Sequence, residues 1–139
     1  YTNTSAPTLS PMSDGVDYTG PYNATSTNVG NYYNTSTYRF TAPVTGFYSF
    51  SASMLTYKPT TANRIDIKFY VNGSVISSRE NQAQRSDMAA NISVEINEML
   101  SLSSGDYVEV KIMVSGASGG YIYVAGGGLF NSFKGHLVA

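Results

Sequence analysis

From Tyr48 to Leu137 the chain repeatedly alternates apolar and polar residues, the period of two that sends successive side chains to opposite faces of a strand. Tyr48, Phe50, Ala52 and Met54 fall on one face, and Ser49, Ser51 and Ser53 on the other. Ile65, Ile67, Phe69 and Val71 repeat the pattern against Asp66, Lys68 and Tyr70. That strand stops at Asn72-Gly73, which suits a two-residue type I′ turn because both central positions need positive φ, so residues 74–78 are expected to return antiparallel. Ile92, Val94 and Ile96 form a further run, and Val108, Val110, Ile112 and Val114 another, launched by Ser104-Gly105-Asp106. SGASGG at 115–120 reverses the chain into residues 121–124, and after the glycines at 126–128, Phe133, Gly135 and Leu137 close the domain. Only residues 82–91 leave room for a helical turn. Short strands separated by turn signals predict an all-β sandwich or barrel.

Residues 1–20 lack an apolar period, and Pro7 and Pro11 with Pro21 just after mark them as a lead-in from an upstream module with one short strand near Leu9. The domain proper is expected to span 21–139. A chain of 139 residues fits one domain with a real core. A start at Tyr1 reads as a processed or excised piece.

Composition narrows the function. Eight Lys and Arg stand against nine Asp and Glu, with no basic block to neutralise phosphates, so nucleic acid is a poor partner. No apolar run approaches the roughly 20 residues of a spanning helix, so no membrane insertion is expected. Cysteine is absent, which excludes disulfides and thiolate metal sites. Twelve Tyr sit among many Ser, Thr, Asn and Gly while charged residues fall to 12%, a bias typical of exposed β structure. Sequons begin at Asn3, Asn23, Asn34, Asn72 and Asn91 and follow from that composition.

Catalytic chemistry is hard to assemble. The one histidine, His136, lies in the closing strand and reads as a strand residue rather than part of a Ser-His-Asp set. The glycines at 126–128 lack the Lys-Ser/Thr of a phosphate loop. Asp14, Asp17, Asp66, Asp87 and Asp106 have no EF-hand spacing, and Asp106 reads as a turn residue. No enzyme activity and no cofactor are expected.

The stretch YRFTAPVTGFYSFSASM, residues 38–54, carries the most specific signal. The order Tyr22, Asn28, Tyr33, Phe40, Gly46, Tyr48, Phe50 resembles, spacing for spacing, the signature of the C1q/TNF-like globular domain. Tyr22 stands where that family prefers Phe, and Ala52 where it expects Phe or Tyr. Leu100, Leu102, Gly105, Asp106 and Val108, and the ending Phe133-x-Gly135-His136-Leu137, are also similar to it. The resemblance implies a ten-stranded jelly-roll sandwich assembled as a compact homotrimer, with calcium in some members but no ligands assignable here. It implies a non-enzymatic recognition head; the weak charge and absence of cysteine favour a microbial or bacteriophage setting, extracellular or on the virion surface. Host attachment by a tail fibre, through a receptor or glycan, is the leading role; the alternative is structural trimerisation, capping or decoration without a ligand.

Two polar connections supply candidate contacts: Tyr57, Asn63 and Arg64 in one, and Arg79, Asn81, Gln82 and Arg85 in the other, whose amides, guanidinium groups and ring faces suit sugars. Tyr70, Tyr107, Tyr121 and Tyr123 oppose the Ile and Val face and are expected at the trimer contact. Pro43 and Gly46, the latter at positive φ, are expected to make a tight corner.

Overall fold

The computed structural model of the chain describes residues 8–9, 12–57, 64–82, 91–116, 122–124 and 131–139. They form eleven strands: β1 (Thr8–Leu9), β2 (Tyr18–Thr19), β3 (Tyr33–Asn34), β4 (Arg39–Thr41), β5 (Gly46–Tyr57), β6 (Arg64–Val71), β7 (Ser74–Gln82), β8 (Asn91–Leu102), β9 (Tyr107–Ser115), β10 (Ile122–Val124) and β11 (Ser132–Leu137). The first sheet contains β1, β10, β5, β11 and β8; the second runs β3-β4-β9-β6-β7, with β2 also on β9. All pairings are antiparallel. β8 covers one edge of β5 along its whole length, so β10 and β11 share the other. Taken as one interrupted strand, they match the ten expected.

The alternation is realised residue by residue. Tyr48, Phe50, Ala52 and Met54 face Ile65, Ile67 and Phe69 across the interior, with Val108, Val110, Ile112 and Val114 beside the latter, and all are buried. Asn72 and Gly73 both take positive φ, 50° and 82°, as the type I′ turn requires. The returning strand continues past the expected Ser78 to Gln82, because Arg64, Ile65 and Asp66 keep pairing with Gln82, Asn81 and Glu80. Of the helical turn considered at 82–91, Gln82 ends β7 and Asn91 starts β8, while 83–90, like the glycines at 126–128, lie outside the described residues.

The signature residues meet in one aromatic cluster. Phe50 packs edge-on to Phe40 at 5.3 Å and stacks on Phe133 at 5.8 Å. The Tyr33 ring meets Phe133 at 5.7 Å, and its hydroxyl donates to the Tyr22 carbonyl at 3.1 Å. Asn28 explains its fixed distance from Tyr33: its amide donates to the Tyr33 carbonyl at 2.9 Å and accepts from the Tyr33 N–H at 3.1 Å, closing the turn around Val29–Asn31. Ala52, small where an aromatic was expected, lies directly across from Phe133 and leaves room for that ring. Tyr22 uses its extra hydroxyl to donate to the Ser53 carbonyl at 3.1 Å.

Residues 42–45 carry the chain from β4 in the second sheet to β5 in the first, and the Tyr48 hydroxyl fastens this corner by donating to the Val44 carbonyl at 2.7 Å. Gly46 differs from expectation, since its φ is not positive. Space decides there instead: a Cβ at 46 would lie 2.6 Å from the Ala139 carbonyl oxygen and 2.8 Å from Leu137 Cδ1. The described part of the segment before Pro21 joins the sheets, because β1 pairs with β10, β2 pairs with β9, and Met12 is buried in the core.

Candidate functional site

Strand register decides where the two polar connections stand. Tyr57 at the end of β5 pairs with Asn91 at the start of β8, and Arg64 at the start of β6 pairs with Gln82 at the end of β7. Both connections therefore cross from one sheet to the other at the same end of the sandwich. Arg64 also pairs with Ser115, so the segment from β9 to β10 leaves from that end too. The opposite end carries tight turns: Asn72-Gly73, the 42–45 corner and the 103–106 turn. In the last, Asp106 accepts from the Asn72 amide and the Ser103 N–H, both at 2.8 Å, which hold its carboxyl below the usual range.

Of the candidate contacts, Arg79, Asn81 and Gln82 belong to β7 rather than to a loop. Arg79 is exposed and, among the described residues, donates to its neighbour's carbonyl, that of Ser78, at 3.1 Å. Arg64 is committed within the protein, with Nε 3.0 Å from Asp66 Oδ1 and Nη1 3.3 Å from Glu80 Oε2. The first contact is close but not aligned as a hydrogen bond. Asp66 is 3% exposed, and burial, against the pull of Arg64 and Lys68, raises its pKa. Asn63 and Arg85 lie outside the described residues, so the arrangement brings together Tyr57, Arg64, Asn81 and Gln82 by backbone position, with Arg79 farther along β7.

The outer face of the second sheet satisfies its charges internally. Arg39 Nε lies 3.0 Å from Glu109 Oε1, with the guanidinium carbon 4.1 Å from the centre of the Tyr107 ring. Lys68 Nζ lies 2.7 Å from Asp17 Oδ1, Lys111 Nζ sits 4.3 Å over the Tyr70 ring, and the Tyr70 hydroxyl donates to Asp17. That bond, aided by partial desolvation and the carboxylate charge, pushes the Tyr70 pKa up to about 12. Tyr123 stands on the other sheet, across from Tyr57, and Tyr121 lies outside the described residues. Tyr70 and Tyr107 thus stand on the second sheet and Tyr123 on the first.

The outer face of the first sheet is different. Ser49, Ser51 and Ser53 line its middle strand, with Lys134 and His136 on one side and Asn97 and Met99 on the other. Between these walls lies a depression of about 430 Å³. Phe47 is 52% exposed at its end and Met99 59% exposed on its wall. Over the far edge of β11, between that strand and residues 26–33, opens a second cleft of about 650 Å³ whose exposed apolar lining is Val29, Tyr32 and Leu137, with the buried rings of Tyr48, Phe50 and Phe133 beneath. Sequence reasoning missed both. The serine alternation was the available signal for the first; the second depends on how β11 and a distant turn approach, which no local pattern reports.

Among the described residues no group of three or more His, Asp or Glu side chains could hold a metal. Nor, among the described residues, is any helix long and apolar enough to cross a membrane.

Comparison with known proteins places these features. A family model described as C1q domain matches residues 5–138. No curated protein matches. Among solved structures the chain is similar to the Eiger TNF of S. frugiperda, with a TM-score of 0.64 over 89% of this chain and 85% of that one at 12% identity, which shows a shared fold.

Proposed function

The chain belongs to the C1q domain family, and we propose that it works as a non-enzymatic, homotrimeric recognition head that attaches to a host-surface receptor or glycan. The setting proposed is extracellular: the tip of a bacteriophage fibre, a virion surface or a microbial surface protein. The observation that carries the reading is the contrast between the two outer faces. The second sheet pairs its charges within one chain, while the first presents small serines with exposed Phe47 and Met99 and no charged residue on its central strand. A face of that kind suits packing against copies of itself around a threefold axis. Tyr123, on the first sheet, belongs near this contact, with Tyr121 beside it in sequence. Tyr70 and Tyr107 contribute less, since Lys111 and Arg39 already cover their rings.

The end of the sandwich with the inter-sheet connections then carries the ligand surface, in three copies, so weak single contacts gain avidity. Arg79, Asn81, Gln82 and Arg85 are the leading contacts, with Tyr57, Asn63 and Arg64 next to them. The test replaces Arg79, Gln82 and Arg85 together with Ala and measures cell binding and melting. Binding is expected to fall sharply with assembly intact. Unchanged binding by the triple variant would remove this segment as the site, and an intact trimer of the parent chain that binds no cell or glycan would favour a capping or decorating role.

A further inference from the structure

On the outer face of the second sheet, Lys68 and Asp17 differ from the other ion pairs of the described residues. Arg39 and Arg64 keep 41% and 39% of their side chains exposed in theirs, whereas the Lys68 side chain is 13% exposed and that of Asp17 23%. The surroundings are dry for an outer face: Asp66 and Met113, cross-strand partners beside Lys68, are 3% and 8% exposed. Lys68 Nζ donates to Asp17 Oδ1 at 2.7 Å, and its other partner is Met113 Sδ at 3.5 Å. An amine with one carboxylate oxygen and one thioether around it has given up most of its water. The second oxygen of Asp17 accepts from the Tyr70 hydroxyl.

The chain is pinned on both sides of Asp17. Before it, the Gly116 N–H donates to Asp14 Oδ1 and the Gly15 N–H to the Val114 carbonyl, both at 2.8 Å. After it, Tyr18 and Thr19 pair with Ile112 and Lys111, and the Gly20 N–H donates to the Val110 carbonyl at 2.8 Å. Lys68 and Tyr70 stand two residues apart on one face of β6. Amine, carboxyl and hydroxyl are therefore in place before any reaction begins, the condition under which an intramolecular step gains most.

We infer that Lys68 and Asp17 condense to an intramolecular amide, a covalent strap between the segment entering β2 and the middle of β6. One proton passes from Nζ to Oδ1, which leaves a neutral amine beside a neutral acid. The nitrogen attacks Asp17 Cγ, and the Tyr70 hydroxyl, already donating to Oδ2, stabilises the negative charge that develops there. Oδ1 then takes a second proton from the nitrogen, its bond to Cγ breaks, and it leaves as water. One ammonium and one carboxylate become one amide and one water, so no co-reactant is needed. The strap passes a pull arriving through the segment before β2 to β6, inside the second sheet, instead of to the two residue pairs of β2. It does not depend on the attachment role.

Mass spectrometry of the whole purified chain, denatured just before measurement, tests the inference. The chain is expected to be one water lighter than its sequence, with a branched tryptic peptide joining the Asp17 and Lys68 segments and no cleavage after Lys68. Lys68→Arg, which retains the ion pair, and Asp17→Ala should each carry the full sequence mass. Tyr70→Phe leaves amine and carboxyl in contact and should form the amide about a hundredfold more slowly, the effect of losing one oxyanion donor. A folded parent chain that keeps its full mass after prolonged incubation at neutral pH would overturn the inference and leave an ion pair only. So would cleavage after Lys68 in a chain one water light, which would place the loss elsewhere, as in a succinimide at Asp14-Gly15. A Lys68→Arg chain still one water light, or a Tyr70→Phe chain that reacts as fast as the parent, would overturn it too.

Discussion

Gly135 lies across from Phe50 in the β5–β11 pair, and the phenyl ring rests against it. A Cβ there would lie 2.4 Å from Phe50 Cε1 and 2.5 Å from Cδ1, far inside the 3.4–4 Å of ordinary contact. The ring has nowhere to go. Phe50 is 2% exposed and packed against Phe40, Tyr48, Phe69 and Phe133. Gly135→Ala should therefore cost near the upper end of the roughly 1–3 kcal/mol of core overpacking, while restriction of the unfolded chain returns about 0.5–1 kcal/mol. A net loss of about 2 kcal/mol lowers the Tm of a domain this size by about 8 °C. The control is Gly46→Ala, where the added carbon meets the Ala139 carbonyl at 2.6 Å. Relief there means a shift of an exposed backbone segment that gives up the bond from the Phe47 N–H, about 1 kcal/mol, which the restricted unfolded chain largely offsets. Calorimetry of both variants and of Gly135→Ala combined with Phe50→Leu decides the matter. The double variant should show favourable coupling between the two sites, because the ring that clashes is gone. An unchanged Tm for Gly135→Ala, or equal losses for the two glycines, would refute the reasoning.

Asn28→Ala removes both bonds to the Tyr33 backbone and should cost about 2 kcal/mol in denaturant unfolding, with Asn28→Asp, which keeps only the acceptor, falling between; a neutral Asn28→Ala would mean that the clamp is not structural. Asp66 has its pKa raised in the folded protein, chiefly by burial, so its ionisation penalty is absent below about pH 4, the usual carboxylate range, and complete above the folded-state pKa. Asp66→Asn should gain stability relative to the parent as pH rises from 3 to 7, and a relative loss over that interval would show that the Arg64 pairing outweighs burial.

How much of this was legible in the sequence follows the range of the interaction involved. The strands from Tyr48 to Met54, Ile65 to Phe69 and Val108 to Val114 were readable because alternation is local, and Asn72-Gly73 because a type I′ turn is a two-residue problem. Gly46 was correctly marked as special for the wrong reason: a dihedral is a local property, but the chain end that crowds it arrives from residue 139. Tyr70 and Tyr107 looked like surplus aromatic surface because Lys111 and Arg39, which cover them, stand 41 and 68 positions away. Arg79, Asn81 and Gln82 read as loop because strand β7 runs on at the sheet edge without an apolar period; its pairing with Arg64, Ile65 and Ile67 is what keeps it extended. The end of the sandwich that gathers both polar connections emerged only from register.

Sedimentation equilibrium of the purified chain at micromolar concentration tests the account's central claim, assembly through the outer face of the first sheet, most directly. Three chains of 14.9 kDa should sediment as one species of about 45 kDa, and Phe47→Lys with Met99→Lys should return it to a folded monomer. A parent chain that remains at 14.9 kDa, or a double variant that still sediments as a trimer, would contradict it.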